Sequence, residues 1–525
     1  MKKISLAYAS VTTLIFTILP GMLVGIIRPL GGDESIFLYG GMTLKNGNRP
    51  YIDFWDHKGP LLYIFNEIGL RFELPNYSGT VLLQLIAISI SLIVLLRVYF
   101  VSELGSFDHK KYIFFLAIVL CGIFLTIHTF GTTELWSLPF QMISYALITK
   151  KITKGIDSSS NKELSKYNYL GDNWTASLVG LSIGSILLLR PNNAFGVIIA
   201  LFVFIFSRKG TRLRIKLFLI ALASLFFIFA IVYLRIFHSH PELITKFYEQ
   251  YIVYNSEYSS GYNLRQKAYG FFLLSINLIK LPIFGILIML SIIGKKKLKD
   301  YSVLSILIFF IMIDFFGQTL SGRGNSAYLV AIMASIINLI AFALKFFSFS
   351  SISFKFVTVI SFLLIITNLS LPEIAARWHD NYREQIQASS FLVSIIKPDD
   401  EIFFLGNNPN ILVRANKTSI SQVVYLGPLL SRFYQNQENL VKSVTNDVIL
   451  SKPTFIIQNQ FHSCRINAKV CYDLNSQYIP ENVALKKLRL YIADNYSEYK
   501  VVGNEIFYKK KVASDFHDKR VVNIK

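Results

Sequence analysis

Acidic, basic and aromatic side chains collect in two short segments that follow the first apolar run of the chain. The first segment contains Asp33 and Glu34. The second contains two acids, two basic groups and an aromatic ring: Asp53, Asp56, His57, Lys58 and Trp55. Charge beside a membrane boundary is costly to place and usually marks a functional site. A carboxylate in such a site can act as a general base, and a lysine or histidine can bind a phosphate.

Asp33 and Glu34 are adjacent, so their side chains diverge in either a helix or a strand. They are therefore poorly placed as a facing acid–base pair, and we expect one to react and the other to have a structural role. An alternative for Asp33 is the N-cap of an amphipathic helix over residues 34–44. The second segment favours a functional site, because a solvated loop does not need Trp55 among its charges, whereas a lipid-headgroup site uses aromatic rings at the interface.

The composition is that of a membrane protein. Hydrophobic residues make up 53% of the 525 residues, and charged residues make up 16%. Because about 20 apolar residues cross a bilayer as a helix, we predict about eleven spans. They cover residues 7–27, 80–101, 112–129, 134–149, 174–189, 193–207, 217–237, 269–293, 301–320, 326–346 and 356–371. This predicts a polytopic α-helical membrane domain over residues 1–371, with residues 28–78 as its first outer loop.

The distribution of lysine and arginine predicts the orientation in the membrane. The basic clusters fall on one side under this topology: residues 109–111, 150–166, 208–216 and 295–299, and Lys345. The opposite side receives residues 33–58, the break at Arg190, the turn at Arg323 and everything after residue 371. We therefore predict a multi-pass protein of the plasma or inner membrane with an extracytoplasmic site. The net charge of +21 is interpreted as topogenic and lipid-facing rather than as a nucleic-acid surface.

The tail over residues 372–525 has a different pattern. Its short apolar runs, at residues 401–406, 447–450, 454–457 and 499–503, are typical of strands, and helical stretches at 382–396 and 431–444 alternate with them. This alternation predicts a C-terminal extracytoplasmic α/β domain. Cys464 and Cys471 both lie in this domain, where a disulfide and two separate thiols remain equally open.

No spacing signature indicates a metal site. His238 and His240 could ligate a metal together with Glu34 or Asp56, but the chain lacks a recognisable ligand pattern. No metal ligand is therefore assigned, the cofactor is unknown, and a requirement for a divalent cation stays open.

The outer-loop residues resemble the GT-C membrane glycosyltransferases. The resemblance lies in Asp33-Glu34 after the first span, in residues 39–41 and above all in residues 49–63, RPYIDFWDHKGPLLY. It is closest to bacterial relatives of protein O-mannosyltransferases and of the lipid A aminoarabinose transferase. It extends more loosely to residues 189–192, to residues 321–323 ahead of Tyr328, and to residues 398–409 of the tail. Many relatives place a histidine before the late tyrosine, where this chain has Ala327.

The resemblance implies transfer of a sugar from a polyprenyl-phosphate carrier to a hydroxyl of a glycan, lipid or protein acceptor at the outer face. Asp33 fits the role of base in a single, inverting displacement. The departing phosphate needs fixed positive charge, for which the candidates are Lys58, His57, Arg190 and Arg323. The expected supporting residues are Glu34, Asp53, Asp56 and Tyr328. Neither the sugar nor the acceptor can be identified from the sequence.

Several alternatives stay open. Arg190 could snorkel to the interface, Arg323 could belong to a tight turn, and Arg265 with Lys267 could anchor a loop at the membrane surface. A polysaccharide polymerase, or a transporter or flippase of a lipid-linked glycan, is also multispan. A secondary transporter is expected to show related halves, and the sequence shows no such internal repeat. Asp314 is the one acid near the middle of a predicted span, and it could be a packed polar residue or part of an acceptor cavity.

Overall fold

The computed structural model describes residues 2–101, 109–126, 130–157, 165–280, 301–319, 328–346, 371–425, 427–429, 435–459, 471–472, 478–479 and 483–511. The described helices are α1 Lys2–Ile27, α2 Gly32–Lys45, α3 Pro60–Leu70, α4 Ser78–Leu95, α5 His109–Thr126, α6 Thr133–Asp157, α7 Ser165–Leu187, α8 Phe195–Phe206, α9 Thr211–Val232, α10 Glu242–Phe247, α11 Tyr254–Ser260, α12 Leu264–Lys280, α13 Tyr301–Thr319, α14 Leu329–Phe346, α15 Leu371–Ile395, α16 Asn410–Ala415, α17 Gln437–Ser451 and α18 Val483–Asn495. The described strands are β1 Ile402–Leu405, β2 Phe455–Asn459, β3 Cys471–Tyr472, β4 Tyr478–Ile479, β5 Tyr496–Val502 and β6 Glu505–Lys510.

Three helical segments of the described residues are long and apolar enough to cross a membrane: Ala7–Ile27, Pro75–Phe100 and Thr211–Phe237. Their mean hydropathy is 2.1, 2.5 and 2.8, and each reaches the length of about 20 residues that a bilayer requires. Four further apolar helices are shorter: Lys111–Leu120, Pro191–Phe206, Val303–Thr319 and Leu329–Lys345. A mostly helical membrane-type chain is therefore confirmed, whereas the number of eleven spans stays a prediction.

The predicted spans and the described helices largely coincide. Each of the first ten predicted spans lies wholly or partly in a helix. The predicted span at 269–293 overlaps α12 only as far as Lys280, because residues 281–300 are not among the described ones. The eleventh span, 356–371, lies almost wholly outside the described residues, since α15 begins at Leu371.

The chain forms two compact units that interleave along the sequence. The first contains Met1–Ile26, Lys58–His240 and Tyr262–Ile374, and the second contains Ile27–His57, Pro241–Gly261 and Ala375–Lys525. Most of the first outer loop thus clusters with the tail. The predicted functional division at residue 371 into a membrane domain and an extracytoplasmic domain stays a prediction.

The first unit has a helical core. Helix α6 lies at its centre and packs against α4, α7 and α14, and α14 has nearly all of its side chains from Leu329 to Leu344 buried. Helices α7 and α9 approach closely at Gly180, where a Cβ atom would meet the carbonyl of Ala221. Small residues of this kind let the backbones of neighbouring membrane helices come together.

The second unit contains a four-stranded sheet in the order β1-β2-β6-β5. Strands β1 and β2 are parallel, with Phe403 opposite Ile456, whereas β2 and β6 are antiparallel, with Ile457 opposite Phe507. All residues of β1 and β2 are buried, as expected for short apolar runs inside a sheet. The strands predicted near residues 401–406, 454–457 and 499–503 are confirmed by β1, β2 and β5.

The strand predicted at residues 447–450 is wrong, because these residues belong to helix α17. The buried side chains of this helix are Leu440, Val441, Val444, Thr445 and Val448. They recur with the helical period of three to four residues rather than with the period of two that a strand requires. A four-residue window was too short to show that period.

Candidate functional site

Asp33 lies in the first turn of helix α2, which begins after Gly31 in an extended conformation. Its side chain is exposed, and among the described residues no hydrogen bond or ion pair involves its carboxylate. The N-terminus of a helix carries partial positive charge. The carboxylate of Asp33 is therefore available to a ligand at the positive end of α2.

Glu34 is buried, and its carboxylate forms a two-pronged ion pair with the guanidinium of Arg28. It also accepts the backbone N–H of Gly31 over 3.4 Å. Two opposite charges at 3% and 1% exposure stabilise each other only because they are paired. The pair fixes the entry of the chain into α2 and hence the position of Asp33. The sequence analysis did not single out Arg28, which sits at the end of an apolar run.

Helix α2 packs against helix α16 of the tail. The hydroxyl of Ser35 donates to Asn408 Oδ1 over 2.5 Å, and the backbone N–H of Ser419 donates to the hydroxyl of Tyr39 over 2.9 Å. Residues of the tail thus form hydrogen bonds with α2 at Ser35, two residues after Asp33, and at Tyr39. The tail therefore takes part in positioning the predicted base.

Asp56, His57 and Tyr425 form a hydrogen-bonded cluster. The Tyr425 hydroxyl donates to Asp56 Oδ1 over 2.9 Å, and His57 Nδ1 lies 3.0 Å from the same hydroxyl. The backbone N–H of His57 donates to Asp56 Oδ1 over 2.7 Å. Burial and the negative charges of Asp56 and, more weakly, Asp33 raise the pKa of Tyr425 well above its usual value. The charge of Asp33 therefore acts on this cluster.

Aromatic rings and amide groups hold the cluster in place. The ring of Tyr254 lies 5.1 Å from the imidazole of His57 and 5.0 Å from the indole of Trp55. The side chain of Gln250 accepts the N–H of Asp56 over 3.2 Å, and Asn255 donates to the carbonyl of His57 over 2.8 Å. The segment 248–260 thus fixes the backbone on both sides of the imidazole.

Asp53 has a local partner. Its carboxylate accepts the backbone N–H of Arg49 over 2.7 Å and forms an ion pair with the Arg49 guanidinium over 3.1 Å. Tyr51, between them, has a positive φ of 69°, a backbone conformation that is uncommon for a residue with a Cβ atom. Asp53 therefore closes a tight loop, and its contacts point to a supporting role.

Lys58 belongs to the first unit, as does Arg190. Gly59, which follows Lys58, donates its N–H to the carbonyl of Leu189, which precedes Arg190, over 3.3 Å. A Cβ atom on Gly59 would meet the carbonyl of Leu188. The backbones that carry these two predicted phosphate-binding cations therefore lie against each other.

Arg190 forms an ion pair with the buried carboxylate of Glu134 and stacks over the ring of Tyr328, 4.4 Å from its centroid. Thr133 donates to the second oxygen of Glu134 over 3.0 Å. The snorkelling alternative for Arg190 does not account for these contacts. The sequence analysis took Glu134 only as the first residue of a predicted span. An acid at the start of one span and an arginine at the end of the next are a signal from which this ion pair could have been predicted.

Three residues that the sequence analysis singled out, Arg323, Ala327 and Cys464, lie outside the described residues.

Within the described part of the chain, no three of the His, Cys, Asp and Glu side chains come together in a group that could hold a metal ion. His238 and His240 are thus not part of such a group there, and the question of metal dependence stays open.

Solved structures of ArnT resemble this chain over almost its whole length. ArnT from Cupriavidus metallidurans in the apo state aligns with a TM-score of 0.59 and 11% identity, over 97% of this chain and 99% of that chain. ArnT from the same organism bound to undecaprenyl phosphate aligns with a TM-score of 0.58 and 10% identity, over 97% and 98%. No family model matches the sequence, and no curated protein matches it significantly.

The chain has the fold of ArnT. The coarse fold prediction is thereby confirmed, because the chain is mostly helical and has a small sheet in its C-terminal part. The eleven spans and the extracytoplasmic position of the tail stay predictions. At 11% identity the likeness establishes the fold alone, since one fold can carry several chemistries. The activity has to be argued from the site of this chain.

Proposed function

We propose that this protein is a membrane glycosyltransferase that moves a sugar from a polyprenyl-phosphate donor to a hydroxyl acceptor at the outer face of the membrane. The observation that carries the proposal is the exposed carboxylate of Asp33, held at the start of α2 by the buried Arg28–Glu34 pair, in a chain with the GT-C fold. ArnT, a neighbour in fold, has been solved with undecaprenyl phosphate bound, which supports this class of donor.

The proposed reaction is a single displacement with inversion at the anomeric carbon. The acceptor oxygen forms a bond to that carbon as Asp33 takes the hydroxyl proton, and the bond from the carbon to the phosphate oxygen breaks. The phosphate monoester leaves with the electron pair of that bond. Because its second pKa is about 6, it needs no proton donor near neutral pH. It does need fixed positive charge where its own charge develops.

Lys58 is the first candidate for that charge, followed by His57, Arg190 and Arg323. The contacts between residues 59 and 189 support a common location for Lys58 and Arg190. Arg190 also forms an ion pair with Glu134. Asp56 supports His57, and Tyr328 supports Arg190, through the contacts described above. Glu34 and Asp53 act further off, through their ion pairs with Arg28 and Arg49.

The proposal is tested with the full chain in liposomes that contain polyprenyl-phosphate sugars labelled in the sugar, with a cell-envelope fraction as acceptor. Asp33→Asn should lower transfer by about 10²-fold or more, with unchanged yield and melting temperature. Asp399→Asn, which removes an exposed carboxylate from a turn in the tail, is the matched control. Full transfer by Asp33→Asn would remove the base assignment.

The rival class is a polymerase, or a transporter or flippase of a lipid-linked glycan. The same liposomes distinguish these functions, because a transporter moves the intact labelled lipid between leaflets while the label stays on its carrier. Movement of label between leaflets without transfer would overturn the enzyme proposal. Release of labelled polymer from a single repeating donor would favour the polymerase.

A further inference from the structure

The cluster of Asp56, His57 and Tyr425 determines which imidazole nitrogen can meet a ligand. Tyr425 has a single proton, and its hydroxyl donates that proton to Asp56 over 2.9 Å. Towards His57 the same oxygen can therefore only accept, and Nδ1 of His57 lies 3.0 Å away. Nδ1 must then carry a hydrogen, because a hydrogen bond needs one donor. The proton that His57 gains or loses is consequently the one on Nε2.

Burial within the cluster is unequal. The side chain of Asp56 is 1% exposed and that of His57 is 23% exposed, and Tyr425 is buried at 8%. Solvent thus reaches the imidazole but hardly reaches the two groups that orient it. Buried partners behind a partly exposed imidazole are the arrangement by which proteins orient a histidine towards a ligand.

The surroundings keep the imidazole from rotating and place a carboxylate beside it. Its faces are bounded by the rings of Trp55, at 6.3 Å, and Tyr254, at 5.1 Å. The titratable and charged groups near it include Asp56 and Lys58 on its own loop, Tyr254 on α11, and Tyr425, which also senses the charge of Asp33. Asp56 Oδ1 lies 3.3 Å from Nδ1, so a protonated imidazole gains an ion pair that a neutral one lacks.

We infer that Tyr425 is a positioning residue that, together with Asp56, holds His57 with its hydrogen on Nδ1 so that the Nε2–H of the imidazolium binds the phosphate of the lipid carrier. The inference rests on the proposed function and extends that function in two ways. The phosphate-binding role of His57 acquires a pH dependence, and a residue of the tail becomes part of the donor site. The sequence analysis found no chemistry in the tail.

The test measures the binding of undecaprenyl phosphate itself to the full chain in nanodiscs between pH 5 and pH 9. Above about pH 7 undecaprenyl phosphate is already a dianion, so there the wild-type protein should bind more weakly as the pH rises and the imidazolium loses its Nε2 proton. His57→Gln should bind with a flatter pH profile. Tyr425→Phe keeps the ring but removes the hydroxyl, so binding at pH 6 should weaken by about fivefold, as expected for one lost hydrogen bond, and the midpoint of the pH profile should move. In the transfer assay, Tyr425→Phe should raise the KM for the donor more than it lowers kcat.

Tyr496→Phe is the matched control, because it removes another buried tyrosine hydroxyl of the same unit, one that donates to the carbonyl of Pro453 over 2.8 Å. It should leave the pH profile unchanged even if it lowers the melting temperature. A Tyr425→Phe profile that superimposes on the wild-type profile, or a His57→Gln protein with wild-type pH dependence, would overturn the inference alone. A wild-type protein that does not bind undecaprenyl phosphate at any pH would overturn the proposed function and the inference with it.

Discussion

The backbone N–H of Gly59 donates a hydrogen bond to the carbonyl of Leu189 over 3.3 Å, and the N–H of Leu61 donates to Leu188 over the same distance. These bonds dock the start of α3 onto the break between α7 and α8. Lys58 directly precedes Gly59, and Arg190 directly follows Leu189. Gly59 has no side chain, so nothing separates the two backbones.

Gly59→Ala should therefore weaken donor binding. A methyl group at this position meets the backbone carbonyl of Leu188. A backbone carbonyl cannot rotate out of the way as the end of a long side chain can. Overpacking of this kind costs about 1–3 kcal/mol of stability. We expect a KM for the donor raised by about tenfold or more, together with a lower melting temperature. Donor titrations of the transfer rate measure the first effect, and thermal unfolding in detergent measures the second.

The control for this prediction is Gly171→Ala. Its Cβ atom would meet the end of the Lys151 side chain, which forms an ion pair with Asp172. This variant should lower the melting temperature while the KM for the donor stays at the wild-type value. Equal KM values for Gly59→Ala and wild type would show that the contact between these backbones does not set the geometry of the phosphate site.

The sequence singled out those parts of the candidate site that are local in the chain. Asp33 and residues 53–58 stood out because charges and an indole beside an apolar run are locally anomalous. Tyr425 did not stand out, since a tyrosine in a mixed tail segment has no anomaly of its own and meets Asp56 only through folding. Arg28 and Glu134 can be seen in the sequence as isolated charges. Their ion-pair partners cannot, because the pairing depends on which helix ends pack together in the fold. Burial of Glu34 and exposure of Asp33, which separate their roles, also arise from packing and not from their adjacent positions.

The ion pair of Arg28 and Glu34 predicts a strong and coupled effect on stability. Removing one member leaves the other buried and uncompensated, which costs about 3–5 kcal/mol. Glu34→Gln and Arg28→Met should each lower the melting temperature clearly, and the double variant should lose less than the sum of the two. Transfer should fall in both single variants, because the pair fixes the first turn of α2 that carries Asp33.

Thermal unfolding of the four proteins in detergent completes this double-mutant cycle. Glu438→Gln breaks an exposed ion pair with Lys442, which has an N···O distance of 2.8 Å, and exposed pairs contribute little. It should leave the melting temperature unchanged. Additive losses for Arg28→Met and Glu34→Gln would contradict a coupled buried pair.

The pair of Arg190 and Glu134 predicts an outcome that separates two roles of the arginine. If Arg190 binds the donor phosphate, Arg190→Met weakens the binding of undecaprenyl phosphate in the wild-type background and again in the Glu134→Gln background. If Arg190 only neutralises Glu134, the double variant binds as well as the wild type. We expect the first result, with a loss of about tenfold, because a charge-assisted hydrogen bond is worth about 1.5–3 kcal/mol. Restored binding in the double variant would remove Arg190 from the phosphate site.

Glu505, at the start of strand β6, predicts a pH dependence of stability in the tail. One carboxylate oxygen accepts from Asn459 Nδ2 over 2.7 Å, and the other is buried without a hydrogen-bond partner among the described residues. Burial raises the pKa of Glu505 from 4.5 to about 7. Between these values the folded state binds more protons than the unfolded state, so the free energy of unfolding falls as the pH rises. The contribution is fully present below about pH 4.5 and is lost by about pH 7; a shift of this size corresponds to roughly 3 kcal/mol.

Glu505→Gln should remove this dependence, because the amide keeps the shape and the acceptor for Asn459 but cannot ionise. Hydrogen exchange of strands β2 and β6, followed in the full-length protein between pH 5 and pH 8 and corrected for the intrinsic exchange rate, measures the local stability. Wild-type protection should decline across this range, and the variant should retain protection at pH 8. Glu438→Gln, an exposed carboxylate of the same unit, should follow the wild-type curve. Parallel declines in wild type and Glu505→Gln would mean that another group governs the stability of this sheet.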